Sequence, residues 1–475
     1  MTKKQLIKDL LNYNMLHLIT KVLNLYGIDE SNCIVSDNNG VVRITAPLIS
    51  HVCECPFCNS TDFIKNGHII KKIKDGTNYL KLFIINLKVQ RFKCKKCKNI
   101  FYEENTISNK YELLSNNSII EIMQKLLKAN YTYDSIGKDM HLSSQNVIDI
   151  FDRYYDYERP SSLPTILSFD EKRSNDKYTK SPYIFIILDF LNHKIFDILP
   201  NRHKEKIIKY FMKFPLVERK KVKYVVMDMW DPYREAVNIA FPTALIAADS
   251  FHVIKNLNQA VDRVRISVMQ KYNNKAEKLE DNSDNYYLLK KYHYFFKMEF
   301  DDISDKIIYI PKLKVHLSKH KLRETILNID PRLKEAYELG SKYREFNKTA
   351  HYTTADNELE ELIELFLNSK ETSLQTFGNT LCHLREKTIN SFITVKDIKD
   401  DCLYDRRLSN GMIEGYNTTI EQLQFNAKGY SNFWRMRNRI IYVINKDYKI
   451  IDDKPIPVKK ENRVPKNKKE NKNKE

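Results

Sequence analysis

Two cysteine pairs constrain this chain more than any other feature. Cys55-Pro-Phe-Cys58 and Cys94-Lys-Lys-Cys97 are separated by 36 positions, counted from 58 to 94. In a reducing compartment two such tight turns present four thiolates to one tetrahedral ion, each sulfur about 2.3 Å from it. A structural Zn²⁺ in a zinc ribbon over residues 51–104 is therefore expected. The run KLFIINLKVQRFKC enters the second pair as a β-type stretch, and Gly67 and Gly76 offer turns. The alternative is a set of unrelated buried or redox-active cysteines; Cys33, Cys53, Cys382 and Cys402 lie outside the two pairs. Lys88, Arg91, Lys93, Lys95, Lys96 and Lys98 surround the second pair with no acid among them. That run reads as a solvated face or as a phosphate contact, and Lys93, Lys95 and Lys96 are the candidates for the second role.

The basic run belongs to a wider excess. The 475 residues carry 79 Lys+Arg against 61 Asp+Glu, a net charge of +18, which attracts phosphate backbones or an anionic membrane. Residues 459–475 hold eight basic and three acidic residues, so +5 of the excess sits in a Lys/Asn-rich stretch expected to be part of a disordered tail over 452–475. The longest apolar stretch, Tyr183 to Leu191, is far short of the ~18–20 residues that span a bilayer and contains Asp189. The first residues, MTKKQLIKDLLNYN, have no uninterrupted apolar core and no small-residue cleavage site. A cytoplasmic protein of two to four domains with no membrane partner is the expectation, at roughly 100–200 residues per domain.

After an N-terminal helical and β extension (1–50) and the ribbon, a helical region follows. Ile119, Ile122, Met123 and Leu126 recur at helical spacing within Ser118 to Asn130. Tyr133 to Leu142 and Ser144 to Phe151 read as two short helices, the second capped by Ser143 or Ser144. This is the shape of a helix-turn-helix over 112–158, whose last helix would offer Ser144, Gln145 and Asn146 to base edges. Three short amphipathic helices also make an ordinary bundle.

From Pro160 the period changes. Thr165 to Asp170, Tyr183 to Leu191 and His193 to Leu199 read as strands, Asn201 to Phe214 as an amphipathic helix, Lys223 to Asp228 as a strand, Pro232 to Ala240 as a short helix and Thr243 to Asp249 as a strand. The order β, β, β, α, β, α, β is that of a ribonuclease-H-like sheet. Three of these strands close on an acid: Asp170, Asp228 and Asp249. A single such Asp is commonly a helix cap, but three on neighbouring strands repel one another unless a divalent ion bridges them. Mg²⁺ (or Mn²⁺) suits such a site, and two ions about 3.5–4 Å apart support an in-line phosphoryl transfer.

A second concentration of chemistry lies near the C-terminus. Of ten glycines, Gly411, Gly415 and Gly429 fall within 19 residues, around Ser409-Asn-Gly-Met-Ile-Glu414-Gly-Tyr-Asn417. Ser409 or Asn410 can cap a helix that carries Glu414 in its first turn, where a Glu is also commonly a partner of the helix dipole. Arg435, Arg437 and Arg439 follow as candidate DNA contacts.

Taken together, the Cys-x-x-Cys ribbon, the helix-turn-helix, Asp170, Asp228, the string Ala248-Asp249-Ser-Phe-His252-Val-Ile-Lys and the string around Glu414 resemble the bacterial insertion-sequence transposases of the ISL-three family, over about Cys55 to Ile441. The resemblance implies a multidomain α+β chain in which a ribonuclease-H-like core (160–255 and 406–450) is interrupted by an all-α insertion (256–405). It implies a catalytic triad of Asp170, Asp228 and Glu414 holding two Mg²⁺ ions, with Asp249, His252 and Asn417 in support. The implied activity is binding of the element's terminal inverted repeats and Mg²⁺-dependent cleavage and transfer of DNA strands, by at least a homodimer acting on nucleoid DNA. Asp249 competes with Asp228 as second acid, although strand order favours Asp228; a packed core His252 with a capping Asp249 is the other account of that string. The chain departs from the family pattern after Glu414, where Glu421-Gln-Leu-Gln-Phe425-Asn426 stands in place of lysines. Two rivals are a zinc-ribbon and helix-turn-helix regulator without catalysis and another ribonuclease-H-like nuclease.

Overall fold

The computed structural model describes residues 17, 20–21, 25–76, 81–109, 112–174, 181–273, 284–399, 402–447, 450–451, 454–455 and 458. Most of the expected basic tail and much of the N-terminal extension lie outside these residues. The chain divides into two compact units, Met1–Glu158 with Thr419–Glu475, and Arg159–Thr418. The boundary falls inside the helix Gly411–Asn426 rather than ahead of it.

The first unit holds strands β1 (Ile34–Asn38), β2 (Val41–Pro47), β3 (Phe63–Asp75), β4 (Leu82–Cys94) and β5 (Ile100–Tyr102) in one sheet of order β1-β2-β4-β3, with β5 also on β4. Ile44, Ile73, Ile85 and Leu87 have no exposed surface and form its core. Gly67, read as a turn, sits inside β3 at a register shift between Lys65 and His68, with φ +76°. A residue without Cβ accepts that conformation at no steric cost.

The two cysteine turns are the same structure built twice. Cys55 N–H donates to Ser60 O (2.9 Å) and Cys94 N–H to Asn99 O (3.0 Å). Each turn closes on a left-handed residue, Asn59 (φ 53°) and Lys98 (φ 62°). Beneath them Phe63, Phe92 and Phe101 pack with ring centroids 5.4–5.6 Å apart. The Sγ atoms of Cys55 and Cys97 are 3.7 Å apart, those of Cys58 and Cys94 3.6 Å, and all four lie within 4.8 Å of one another. Four sulfurs at about 2.3 Å from a tetrahedral ion stand roughly 3.8 Å apart, so the cluster fits Zn²⁺.

In the same unit the helices Asn116–Leu126, Tyr133–Asp139 and Ser144–Tyr154 enclose a core of Ile119, Ile122, Ile136, Val147 and Phe151, joined by Tyr442 of the helix Phe433–Asn445. Ser115, Thr132 and Ser143 cap the three helices, the last two through reciprocal capping boxes. The turn between the second and third helices depends on Gly137, where a Cβ would stand 2.8 Å from Leu142 O.

The second unit is built on β6 (Ile166–Arg173), β7 (Tyr183–Asp189), β8 (Lys194–Leu199), β9 (Tyr224–Met227) and β10 (Leu245–Ala248), in the order β10-β9-β6-β7-β8. β6, β7 and β8 are antiparallel neighbours, whereas β9 and β10 run parallel to β6. One face is covered by the helices Lys204–Phe211 and Asp231–Ala240, with Phe169, Phe185, Phe211, Tyr233 and Phe241 packed between. The opposite face carries Ile166, Val226, Ala247 and Leu408. The helix read over Asn201 to Phe214 is shorter, because Pro215 ends it and caps a separate turn, Leu216–Lys221. β6 does not stop at Asp170 but runs on to Arg173 against β7; only its pairing with β9 ends before that residue.

Residues 256–405 are mainly helical, around the long helix Ser250–Lys271, but they are not all-α. They contain the hairpins Ile307–Ile310 with Val315–Ser318 and Thr394–Lys399 with Cys402–Arg407. These segments are too short for a stable helix, and pairing of each strand with its neighbour fixes them as extended chain.

If a Zn²⁺ ion closes the cysteine turns, its removal unfolds them locally, because the cluster has only a small aromatic core beneath it. Hydrogen exchange after chelation is expected to accelerate in the cysteine turns and the strand ends beside them, residues 53–63 and 92–102, and to leave the core of Ile44, Ile73, Ile85 and Leu87 and strands β6–β10 unchanged. Equal protection with and without metal would contradict the assignment.

Candidate active site

The register of the parallel strands sets the geometry of the acids. Ser168 on β6 pairs with Val226 on β9, so two residues on Asp170 and Asp228 stand level; Ala248 pairs with Met227, so Asp249 stands beside Asp228. The ladder extends to Asp249, whose N–H donates to Met227 O at 3.0 Å. Alternation along each strand puts all three acids on the face that carries Ile166, Val226, Ala247 and Leu408. The segment after Leu408 brings Asn410 and Asn417 to that face and sets the Glu414 carboxylate within electrostatic reach of Asp249 and His252.

Asp249 is fully buried and both its oxygens are used. Oδ1 accepts the backbone N–H of Asn410 (3.2 Å) and Oδ2 accepts Nδ1–H of His252 (2.8 Å). The other ring nitrogen of His252 lies 3.6 Å from Asp228 Oδ2. The hydrogen bond to Asp249 holds the imidazole pKa above its usual value, against the opposing effect of burial and with help from the charge of Asp228. Asn410 is the residue that sequence reasoning undervalued. Its side-chain amide donates to Phe169 O (2.8 Å) and its carbonyl accepts Glu414 N–H (3.2 Å), so it ties β6 to Asp249 and to the helix of Glu414. The only signal for it was its place before a helix, where it read as a cap.

Asp170 is 7% exposed. The N–H of Glu171 and the amide of Asn417 donate to its two oxygens at 2.8 and 2.7 Å. Burial nevertheless pushes its carboxyl up to about 6, the two hydrogen bonds opposing the shift. Glu414 is half-buried and its carboxyl is raised in the same direction, by burial and then by the charge of Asp249, against His252 and Lys255. Asp228 is the more open acid, with the N–H of Met229 on Oδ1 at 2.6 Å. Two nearby acids, Glu171 and Asp189, serve the scaffold. Glu171 is held by Arg202 and Tyr233, while Asp189 caps a turn through Asn192 (3.1 and 2.7 Å).

The remaining sequence candidates lie in the other unit. Ser144, Gln145 and Asn146 are exposed at the start of the helix Ser144–Tyr154; Gln145 bonds Asp149 (2.8 Å), and the Asn146 side chain accepts the Ser143 hydroxyl (2.6 Å). Lys93, Lys95 and Lys96 are exposed beside the second cysteine turn, Lys95 within 2.8 Å of Asp62. The three arginines have partners inside the unit. Arg435 forms a two-pronged pair with Asp152 (2.7–3.2 Å), Arg437 stacks on Tyr157 and Trp434, and Arg439 is buried.

A buried carboxylate with a raised pKa costs stability when ionised. For Asp170 the folded value is about 6 against 3.8 for the free group. The penalty is absent below the lower value, grows between the two and is complete above the upper one. Asp170→Asn is therefore expected to stabilise the protein at pH 8, without added divalent ion, by about 1–3 kcal/mol. Melting curves would show a raised transition at pH 8 and a gain that shrinks toward zero near pH 4; no gain at pH 8 would contradict the burial argument.

The transposase family model DDE_Tnp_ISL3 matches residues 167–440, more than half of the chain. The match includes Asp170, Asp228, Asp249, His252, Glu414 and Asn417. No curated protein matches the chain. The chain belongs to the DDE_Tnp_ISL3 family of transposases.

Proposed function

We propose that this transposase binds the terminal inverted repeats of its insertion sequence and catalyses divalent-metal-dependent cleavage and transfer of DNA strands. The reading rests above all on the parallel register that puts Asp170 and Asp228 level on one face of a ribonuclease-H-like sheet, with Asn417 and Glu414 brought to the same face. Asp170, Asp228 and Glu414 would hold two Mg²⁺ ions. Several observations support the fit. Burial raises the Asp170 and Glu414 carboxyls, an effect that a bound cation would offset. Asn417 Oδ1 is buried with no protein partner, an acceptor suited to a metal-bound water. The ions, when bound, would activate the attacking oxygen and stabilise the leaving one.

The protein's own groups have separable tasks. Asp249 has both oxygens committed to the fold, which leaves Asp228 as the acid with a free oxygen beside Asp170. Asp249 orients His252, and neutral His252 leaves Asp228 available to a cation. Protonated His252 would pair with Asp228 and compete. Asn417 holds the Asp170 carboxylate in its charged form.

In the other unit, the zinc ribbon with Lys93, Lys95 and Lys96, and the helix-turn-helix with Ser144, Gln145 and Asn146, would recognise the element ends, with Arg435, Arg437 and Arg439 contributing basicity. No helix among the described residues is long and apolar enough to cross a membrane. The proposed substrate, nucleoid DNA, would put the reaction in the cytoplasm. Two ends cut in one reaction call for at least two copies of the chain.

Asp228→Asn and Glu414→Gln are each expected to lower cleavage of duplexes from the DNA flanking the gene by at least ~10³-fold, with binding of those duplexes retained. Cleavage at wild-type rates by either variant would remove that residue from the site. Metal binding requires ionised Asp170 and is opposed by charged His252, so cleavage at subsaturating Mg²⁺ should fall as the pH drops through about 6. Asn417→Leu, which removes a hydrogen bond to the charged carboxylate, is expected to move that limb to higher pH by roughly 0.5–1 unit. A limb that stays in place would show that Asp170 does not control it.

A further inference from the structure

Within the first unit, a cavity of about 400 Å³ is bordered by Tyr133, Ser144, Lys428, Tyr430, Asn432 and Arg439. Arg439 is 2% exposed. Its Nη2 donates to the carbonyls of Lys128 and Tyr131, each at 3.2 Å, but Nη1 is buried with no partner. The Tyr133 hydroxyl on the same cavity is likewise buried and unpartnered. A guanidinium donor left unsatisfied away from water is costly, and so is a buried phenol without an acceptor. Both are donors, and burial holds the Tyr133 phenol protonated.

Two longer helices start at the same cavity. Ser144 opens the 11-residue helix of the helix-turn-helix, and Asn432 caps the 13-residue helix Phe433–Asn445. Their N-termini add positive potential. Lys428 and Gly429, at φ +53° and +95°, turn the chain between helices, and both border the cavity. Asp134 also borders the cavity, but its carboxylate is paired with Lys138 at 2.7 Å. An oxyanion with several acceptor oxygens answers all of these groups at once, one oxygen taking a charge-assisted bond from Arg439 Nη1.

We infer that this cavity takes a phosphate group of the DNA backbone and so fixes the register of the helix-turn-helix on an element end. The inference rests on the proposed end-binding function and adds a specific anchor to it, in which Arg439 acts from inside the fold rather than from its surface.

The test uses the full-length protein and a duplex from the DNA flanking its gene, with binding followed by fluorescence anisotropy over a series of salt concentrations. Arg439→Gln is expected to reduce the steepness of log affinity against log salt by about 0.9, the loss of one phosphate contact. Because that change could also disturb packing, Tyr133→Phe is the second variant. It removes only the unpartnered hydroxyl, should raise the melting temperature of the free protein or leave it in place rather than lower it, and should weaken binding by about 10-fold. Wild-type affinity and salt dependence in both variants, with wild-type protein still binding and cutting, would overturn this inference alone. Wild-type protein that does not bind the flanking duplex would overturn the end-binding reading and this inference together. Inorganic phosphate that raises the melting temperature of wild type but not of Tyr133→Phe, with DNA binding equal in the two, would assign the cavity to free phosphate and overturn the backbone contact.

Discussion

The organisation of the acidic site depends on one fully buried carboxylate. Asp249 cannot be left unpaired in the interior, because an isolated charge there costs several kcal/mol. Its two partners are the imidazole of His252 and the backbone of Asn410. The first partner sits at the start of the helix Ser250–Lys271, and the second immediately precedes the helix that carries Glu414. Asn410 in turn bonds the carbonyl next to Asp170. Segments distant in sequence are thereby locked to one end of a five-stranded sheet. Asp249 thus fixes His252 and the start of the Glu414 helix beside the acids that the strand register aligns, although its own oxygens are spent.

The site stores unfavourable electrostatics as a consequence. Asp170 and Glu414 both hold raised carboxyls because burial and neighbouring negative charge disfavour their ionised forms. An apolar scaffold of Phe169, Phe185, Phe211 and Tyr233 on the opposite face of the sheet supplies the packing that such a site draws on. Functional sites commonly trade stability in this way. His252 adds a second control, since its protonation would set a cation of the protein's own against Asp228.

Much of this was legible in the sequence, for identifiable reasons. The strand order and the acids on β6, β9 and β10 follow from apolar runs that close on carboxylates, and the cysteine turns from their spacing. Asn417 was legible only through a family string, since nothing local marks an amide as the partner of an acid 247 positions away. Asn410 reads as a helix cap because two of its three bonds reach far along the chain, to the Asp249 carboxylate and the Phe169 carbonyl. The extension of β6 past Asp170 was missed because Glu171, Lys172 and Arg173 are polar, yet pairing with β7 keeps them extended. Short hairpins inside a helix-rich stretch escaped for the same reason, being fixed by pairing rather than periodicity. The buried Arg439 was read as a surface base, because charge in sequence carries no information on depth.

The central claim is that Asp170, Asp228 and Glu414 form a divalent-cation site. Diffraction from crystals of the wild-type protein soaked in Mn²⁺ tests it most directly, through the anomalous signal of the ion. Mn²⁺ is expected in contact with both Asp170 and Asp228, within about 2.3 Å of a carboxylate oxygen, with no anomalous signal there in the Asp228→Asn protein. Ordered Mn²⁺ elsewhere, with none between these two acids at neutral pH, would contradict it.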